Sequence, residues 1–505
     1  MTDPQSSPDM ASSGKEHNGS GRSLSEFGKR AGPAMVWQAV QHGADKLIDL
    51  ARLLILAAIL TPEDFGLLAV SLISVGLFTQ LTELGLTPAL VQRQSVEDGH
   101  YETAWTLGVL RGVVAAVLIA STAPWIADLL TEPRATELIR ALAFVPLLQS
   151  LASVRTVDLA RTLQFRQLAI LRLSGALTGA IGAIALASSL GVWALVIGAL
   201  AGHVVFAVLS YGLAPWRPRL RFDRAAWRSL IRFGRWVFLT GLIVAAGNAV
   251  SQGIISRRLG TVDLGIYYLA AKLVFSLADV GQQVISTVAF PLYARMQHAM
   301  ADVARGYRST LIAMAVLMMP VFAILFALAP AVTEILGAKW AGAEPLIRVL
   351  CLAAAVGSLG DVAVPLFNGL GRPSRVSMLE GVQSSLFVLG VITLIGPYGL
   401  TGATVAWLIS VSASYVLALV FVLRLLNRPH VGVGVPLSCV FAGGIGAGVL
   451  AWMLQALFPG AVGGVVAGLL SLVAFWGGLW FCDGKWRLGL RTALSVIFPA
   501  VAPRD

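Results

Sequence analysis

Residues 215–235 read PWRPRLRFDRAAWRSLIRFGR, seven arginines interleaved with Trp216, Phe222, Trp227 and Phe233. Long apolar stretches flank this run, six before it and eight after. They lie at about 33–60, 65–90, 102–123, 137–154, 173–189, 192–214, 236–255, 264–290, 309–329, 345–370, 377–395, 400–423, 433–457 and 461–482. Most approach the ~20 residues with which a helix crosses ~30 Å of hydrocarbon. A basic, aromatic-rich run beside a membrane reads as an interfacial amphipathic helix joining two halves on the cytoplasmic face. The same interleaving can bind single-stranded nucleic acid, but its place between membrane spans argues against that partner.

The charges outside the run follow the same plan. Of 37 Lys and Arg, 27 fall in the two tails and the even-numbered gaps between stretches, and only 4 in the odd-numbered gaps. Short loops rich in Lys and Arg stay cytoplasmic, so the chain is expected to cross fourteen times with both termini inside a bacterial inner membrane. One misplaced span would shift every later loop and destroy the alternation. With 12% charged and 57% apolar residues and a mean hydropathy of +0.80, a soluble protein is excluded. The net charge of +11 is an orientation signal plus attraction to anionic headgroups. Cys351, Cys439 and Cys482 stand apart in apolar surroundings and read as packing residues.

The two halves echo each other. Leu60-Thr-Pro-Glu-Asp64-Phe65-Gly66 follows the first stretch, and Leu259-Gly-Thr-Val-Asp263-Leu264-Gly265 follows the seventh. Leu138-Ile139-Arg140 opens the fourth, and Leu346-Ile347-Arg348 the tenth. Six spans per half give both halves the same orientation, related by an axis along the membrane normal, with a substrate site between them. The expected division is a disordered cytoplasmic tail at 1–32, a first lobe at 33–214, the basic linker at 215–235 and a second lobe at 236–426. Residues 427–505 add two spans outside the repeat and a cytoplasmic tail. The fold class is an all-α integral membrane protein of two six-helix lobes plus two C-terminal helices.

Function should show where the bilayer tolerates what it normally rejects, since a mid-bilayer charge costs ~2.5–3.5 kcal/mol even on the lenient scale. The first stretch carries Gln38, His42, Asp45, Asp49 and Arg52 at steps of 4, 3, 4 and 3, with Lys46 adjacent. That spacing puts the first five on one helix face. The eighth repeats the device with Lys272, Ser276, Asp279, Gln283 and Ser286. The seventh adds Asn248, Ser251 and Gln252, the second Thr79 and Glu83, the third Arg111, and the tenth Asp361 and Asn368. Together they point to a hydrated cavity of mixed charge between the lobes. Each also has a structural reading, as an ion pair such as Asp49 with Arg52 or Lys272 with Asp279 that serves packing alone. No HExxH, GxSxG, phosphate loop or Cys/His metal cluster occurs.

Several segments resemble one family. Glu63-Asp64-Phe65-Gly66-Leu67, Glu83-Leu84-Gly85-Leu86 through Val91-Gln92-Arg93, Arg111-Gly112, and Ala160-Arg161 through Phe165 lie in the first half. Arg258-Leu259-Gly260, Phe290-Pro291-Leu292 through Arg295, and the most distinctive, Ile335-Leu336-Gly337-Ala338-Lys339-Trp340 followed by Pro345-Leu346-Ile347-Arg348, lie in the second. As a set they resemble the Wzx-type lipid-linked oligosaccharide flippases of the MOP superfamily, nearest the WzxC-like branch, over roughly 33–426. The resemblance implies two six-helix bundles around a central cavity. It implies as substrate an undecaprenyl-pyrophosphate-linked oligosaccharide moved to the periplasmic leaflet by alternating access, for exopolysaccharide, O-antigen or capsule synthesis.

Within that expectation Lys46, Arg52, Arg111 and Lys272 are the candidates for the phosphates, and Asn248, Gln252 and Gln283 for sugar hydroxyls. Asp45, Asp49, Glu83, Asp279 and Asp361 are the candidates for gating or for a coupling proton or cation. No cofactor is expected, no catalysis and no nucleic acid. The partners would be the lipid-linked substrate, membrane lipids and a polysaccharide polymerase or co-polymerase. Two alternatives remain open here. A cation-coupled drug antiporter of the same superfamily prefers an acidic cavity. An oligosaccharide polymerase or ligase carries a large periplasmic loop, whereas the longest odd-numbered gap here is about 15 residues.

Overall fold

The computed structural model describes residues 41–83, 97–162, 164–297, 299–427, 434–458 and 460–486, together with Trp37 and Leu90. The tail at 1–32, Gln38, the segments Leu84–Leu86 and Val91–Arg93, and the C-terminal tail lie outside them. Every regular element among the described residues is a helix. In order these are α1 (41–59), α2 (Pro62–Leu81), α3 (Asp98–Leu129), α4 (Ala135–Leu142), α5 (Phe144–Ser150), α6 (Thr156–Arg161), α7 (Phe165–Leu190) and α8 (Val192–Leu213). The second half holds α9 (Arg224–Leu259), α10 (Thr261–Met296), α11 (Met300–Leu336), α12 (Ala343–Asp361), α13 (Ala363–Gly369), α14 (Pro373–Leu426), α15 (Gly434–Leu457) and α16 (Ala461–Trp486).

Eleven of these described helices are long and apolar enough to cross a membrane. The expected fourteen differ from these at three places. Only part of the first stretch is described. The fourth is broken into α4 and α5, because Pro146 has no N–H for the carbonyl of Leu142. The eleventh and twelfth run together as α14, whose 54 residues would span ~80 Å as one rod. Gly399, at φ +55° and ψ −137°, folds α14 back on itself. A Cβ on Gly402 would stand 2.2 Å from the carbonyl oxygen of Leu394, so the two arms touch. Gly191 makes the same turn between α7 and α8, at φ +55° and ψ −131°.

The turns sort onto two faces. Residues 57–66, 130–134, 191, 256–265 and 338–340 meet at one end of the bundle, which we call the odd face. At the other, the even face, Asp98 pairs with Arg155, Tyr101 donates to Asp158, and Ser153 donates to the carbonyl of Ala214. The first, third, fifth, seventh and ninth gaps thus share one end, and the second, fourth and sixth share the other.

The linker departs from expectation. Residues 215–223 are not helical. Pro215 and Pro218 each lack an N–H and disfavour helical backbone in the residue before them. This strap lies along the start of α3, where Thr103 accepts from the Asp223 N–H, Arg221 reaches Glu102, and Trp216 stacks edge-on to Trp105. The helix expected over 215–235 is instead the beginning of α9.

Small residues set the tight helix pairs. A Cβ on Gly198 would meet the Gly179 carbonyl at 2.6 Å and one on Gly202 the Gly175 carbonyl at 2.7 Å, so α7 and α8 pack backbone to backbone. The last two helices, α15 and α16, pack on α11 of the second lobe. There Gly448 lies against Ala323, and Gly468 against Leu328.

Candidate functional site

The polar face of α1 turns inward and its apolar face outward. His42, Asp45, Lys46, Asp49 and Arg52 are half-buried, whereas Leu47, Ala51, Ile55, Ala58 and Ile59 are exposed. Facing α1 across the lobe boundary is α10. A lipid-facing helix exposes Leu, Val and Ile, yet between Val262 and Phe290 the exposed side chains of α10 are Asp279 and Gln283. Their surroundings are therefore wet space between the lobes.

The lobes meet there through one ion pair. The Lys46 ammonium donates to Asp279 at 2.9 Å, with side chains 27% and 62% exposed. The sequence offered Lys272 as the partner of Asp279; the fold selects Lys46, 233 residues away. The pairing of Asp49 with Arg52 is present at 3.4 Å, and the same two charges act on Tyr268 of α10. Gln41 donates to Asp45 at 3.5 Å. Lys272, Asn248 and Gln252 are half-buried. Ser251 faces elsewhere: it shares a side of α9 with Gly247 and Arg258, which approach Ser384 and the Ile392 carbonyl of α14.

Two candidates sit apart from this space. Arg111 donates to Glu83, which ties α3 to the end of α2 inside the first lobe and leaves the arginine side chain 13% exposed. Asp361 lines a cavity of about 110 Å³ inside the second lobe with Glu380, Gln383, Ser358, Ser414 and Tyr415. Here Pro365 deprives the Asp361 carbonyl of its helical donor, and Gln282 donates to it instead at 3.5 Å. Asp279 and Glu380 are the charged groups that act on the Asp361 carboxyl. A row of acids thus runs from the inter-lobe space into the second lobe.

Sequence reading missed Glu380 and Gln383, although a Glu three residues into the stretch 377–395 was a visible signal. It also missed Arg172, counted with the connecting loop; this residue lies in α7 and acts electrostatically on His42. The polar face of α1 therefore has a cation of α7 near its first described turn.

Comparison with known proteins gives a consistent picture. A family model described as polysaccharide biosynthesis protein matches residues 55–345. The lipopolysaccharide biosynthesis protein WzxC of Escherichia coli K12 is 24% identical over 383 residues, covering 74% of this chain and 77% of that protein. The succinoglycan biosynthesis transport protein ExoT of Rhizobium meliloti is 28% identical over 320 residues, 63% and 65% of the two chains. Among solved structures, the lipid II flippase MurJ in an inward closed conformation superposes with a TM-score of 0.71 at 12% identity, covering 89% of this chain and 99% of that one. An inward-facing MATE multidrug transporter of the MOP superfamily gives 0.62 at 14% identity, covering 77% and 98%. These two likenesses establish the MOP fold.

Proposed function

The chain belongs to the polysaccharide biosynthesis protein family that matches residues 55–345, and from that premise we propose that it is a flippase for lipid-linked oligosaccharides. It takes a polyprenyl-pyrophosphate-linked oligosaccharide at the cytoplasmic leaflet and releases it at the periplasmic leaflet of the inner membrane. The even face is cytoplasmic and the odd face periplasmic. The two lobes of residues 33–214 and 236–426 rock about the site between them, and the chain makes or breaks no covalent bond. A polysaccharide polymerase or co-polymerase would take the released product.

One observation carries this reading: the solvated Lys46–Asp279 pair bridges the two lobes between the helices that also carry Arg52 and Lys272. A headgroup of sugars and pyrophosphate cannot enter hydrocarbon, because each polar group would lose its water without replacement. A wet chamber with fixed cations replaces that hydration and favours an anion. Lys46, Arg52 and Lys272, joined by Arg172, would meet the phosphates. Asn248, Gln252 and Gln283 would meet sugar hydroxyls, and the polyprenyl tail would stay in lipid. Arg111 serves this site only by holding the end of α2 through Glu83.

An inside-negative potential favours outward movement of the anion by ~2.3 kcal/mol per charge per 100 mV. Asp279, Asp361 and Glu380 would supply the coupling route by taking up protons or a cation as the lobes move. The test is complementation of a flippase-null strain with the Arg52→Ala/Lys272→Ala double variant. Loss of surface glycan with a normal amount of protein in the membrane is expected. Full complementation rejects the assignment.

A further inference from the structure

We propose that the loops following the third span of each lobe form a swapped latch that holds the odd face shut, with Lys339 and Trp340 as its principal donors. This rests on the flippase reading, in which the odd face is the periplasmic mouth. The Ile335–Trp340 segment is the most distinctive in the sequence, yet none of its residues lies in the substrate chamber. Its short 3-10 helix, Ala338–Trp340, reaches out of the second lobe to the C-terminal end of α1 in the first.

The contacts there are specific. Trp340 Nε1 donates to the Ala57 carbonyl at 2.8 Å, and Lys339 Nζ donates to Ala58 at 2.8 Å and Leu60 at 2.7 Å. A helix end leaves its last carbonyls without intrahelical donors and carries partial negative charge, so an indole N–H and an ammonium are fitting caps. Trp340 is fully buried, its ring edge-on to Phe65 at 5.3 Å. One lobe thus caps the helix of the other that bears Lys46, Asp49 and Arg52.

The opposite loop also touches the other lobe, but with the donors exchanged, since here the loop accepts. Ser256, near the end of α9, donates to the Leu130 carbonyl at 3.3 Å, and Thr261 donates to Glu132 at 2.6 Å. Arg134 holds Glu132 at 2.7 Å and Glu63 at 2.6 Å. Leu130 and Leu336 precede the equivalent turns, where Thr131 and Gly337 both have positive φ. Residues 57–60 and 256–259 are likewise equivalent ends of α1 and α9. Each loop therefore sits on the other lobe's first helix end.

Between the two contacts the lobes touch at glycine. A Cβ on Gly66 would lie 1.9 Å from the Thr261 carbonyl oxygen, and one on Gly265 would lie 1.8 Å from that of Pro62. These contacts suit a joint that opens. The acceptors sit at a helix end, where water replaces the indole and ammonium on separation, so no buried group is orphaned. Arg52 is five residues, ~7.5 Å of helix, from Ala57, and an anion drawing on α1 acts on the capped element itself.

The test uses the full-length protein in membranes, with Cys351, Cys439 and Cys482 replaced by alanine. Glu132→Cys with Thr261→Cys, treated with a short bis-methanethiosulfonate that makes up the reach lost from Glu132, should cross-link and stop glycan export, and reductant should restore it. In a second arm a Tyr268→Cys reporter, placed beneath the latch, is labelled by a membrane-impermeant maleimide from the periplasmic side. Lys339→Met with Trp340→Phe, which keeps a long apolar chain and an aromatic ring but removes three donated hydrogen bonds, should speed labelling at least about tenfold, the factor that one charged hydrogen bond commands. No cross-link, undiminished export by cross-linked protein, or unchanged labelling overturns the latch. Cross-linking and labelling need no glycan, so a chain that latches and unlatches yet never exports would reject the flippase reading alone.

Discussion

The Lys46–Asp279 pair separates stability from transport. Exposed ion pairs are worth ~0.2–1 kcal/mol, so Asp279→Asn should leave thermal stability within about 1 kcal/mol of the parent. Lys46→Gln should nevertheless lower export by at least about tenfold, since a charge-assisted contact to phosphate is lost; quantitative export against a thermal unfolding assay decides it. Glu132 carries a pH dependence. Burial alone would raise its carboxyl, but hydrogen bonds from Arg134 and Thr261 outweigh this and hold it below the ordinary carboxylate range. A depressed value means that its stabilising contribution is complete above the unfolded pKa near 4.5 and is lost as pH falls through the folded one. Cross-linking of cysteines at 132 and 261 lacks this carboxyl, so the measure is the maleimide labelling rate of the Tyr268→Cys reporter divided by that of the same reporter carrying Glu132→Gln at the same pH, which cancels the ionisation of the thiol; this ratio should stay flat from pH 8 to about 5 and rise in stronger acid. A rise on going to alkaline pH would contradict the sign. Helical spacing was enough to put His42, Asp45, Asp49 and Arg52 on one face, because period is local. It was not enough to choose Lys46 over Lys272 for Asp279, because that choice is made across a gap between lobes.

Among the helices, the two hairpins built on Gly191 and Gly399 carry the next expectation. Both glycines combine φ +55° with ψ of −131° and −137°, a region nearly closed to residues with a Cβ, which costs ~1–3 kcal/mol to occupy. Gly399→Ala should destabilise the protein by about that amount, read as a lower midpoint in detergent unfolding, whereas Gly396→Ala has open space around it and should be nearly silent. The apolar stretches on either side of Gly399 were visible as two spans from length alone, since a single rod of 54 residues overshoots the bilayer. Less visible were the breaks at Pro146 and Pro365, which hydropathy passes over although they free the backbone carbonyls of Leu142 and Asp361. The interfacial helix expected at 215–235 failed for a related reason. Its arginines and aromatics suit an amphipathic helix, but Pro215 and Pro218 forbid one at its start.

Taken as a whole, the molecule closes one end through a seam that is nearly self-complementary. Gly66 meets the residue that opens α10, and Gly265 meets the residue that opens α2, the reciprocity of a two-fold contact. Gly66→Ala and Gly265→Ala should therefore have similar effects, each propping the odd face open and accelerating periplasmic labelling of the Tyr268→Cys reporter. A large effect of one with none of the other would show that the seam is not a symmetric joint. The echoes at Leu60–Gly66 and Leu259–Gly265 were the sequence trace of this seam, and Leu138 and Leu346 mark equivalent buried positions behind it.

Hydropathy and helical period are properties of neighbouring residues, and they sufficed for an all-helical membrane fold and for the polar faces of α1 and α10. Which end is shut, which acid answers which base, and that Trp340 of one lobe caps a helix of the other became definite only in three dimensions. Those facts depend on groups 126 to 283 residues apart arriving within hydrogen-bonding distance, and no local spacing encodes that meeting.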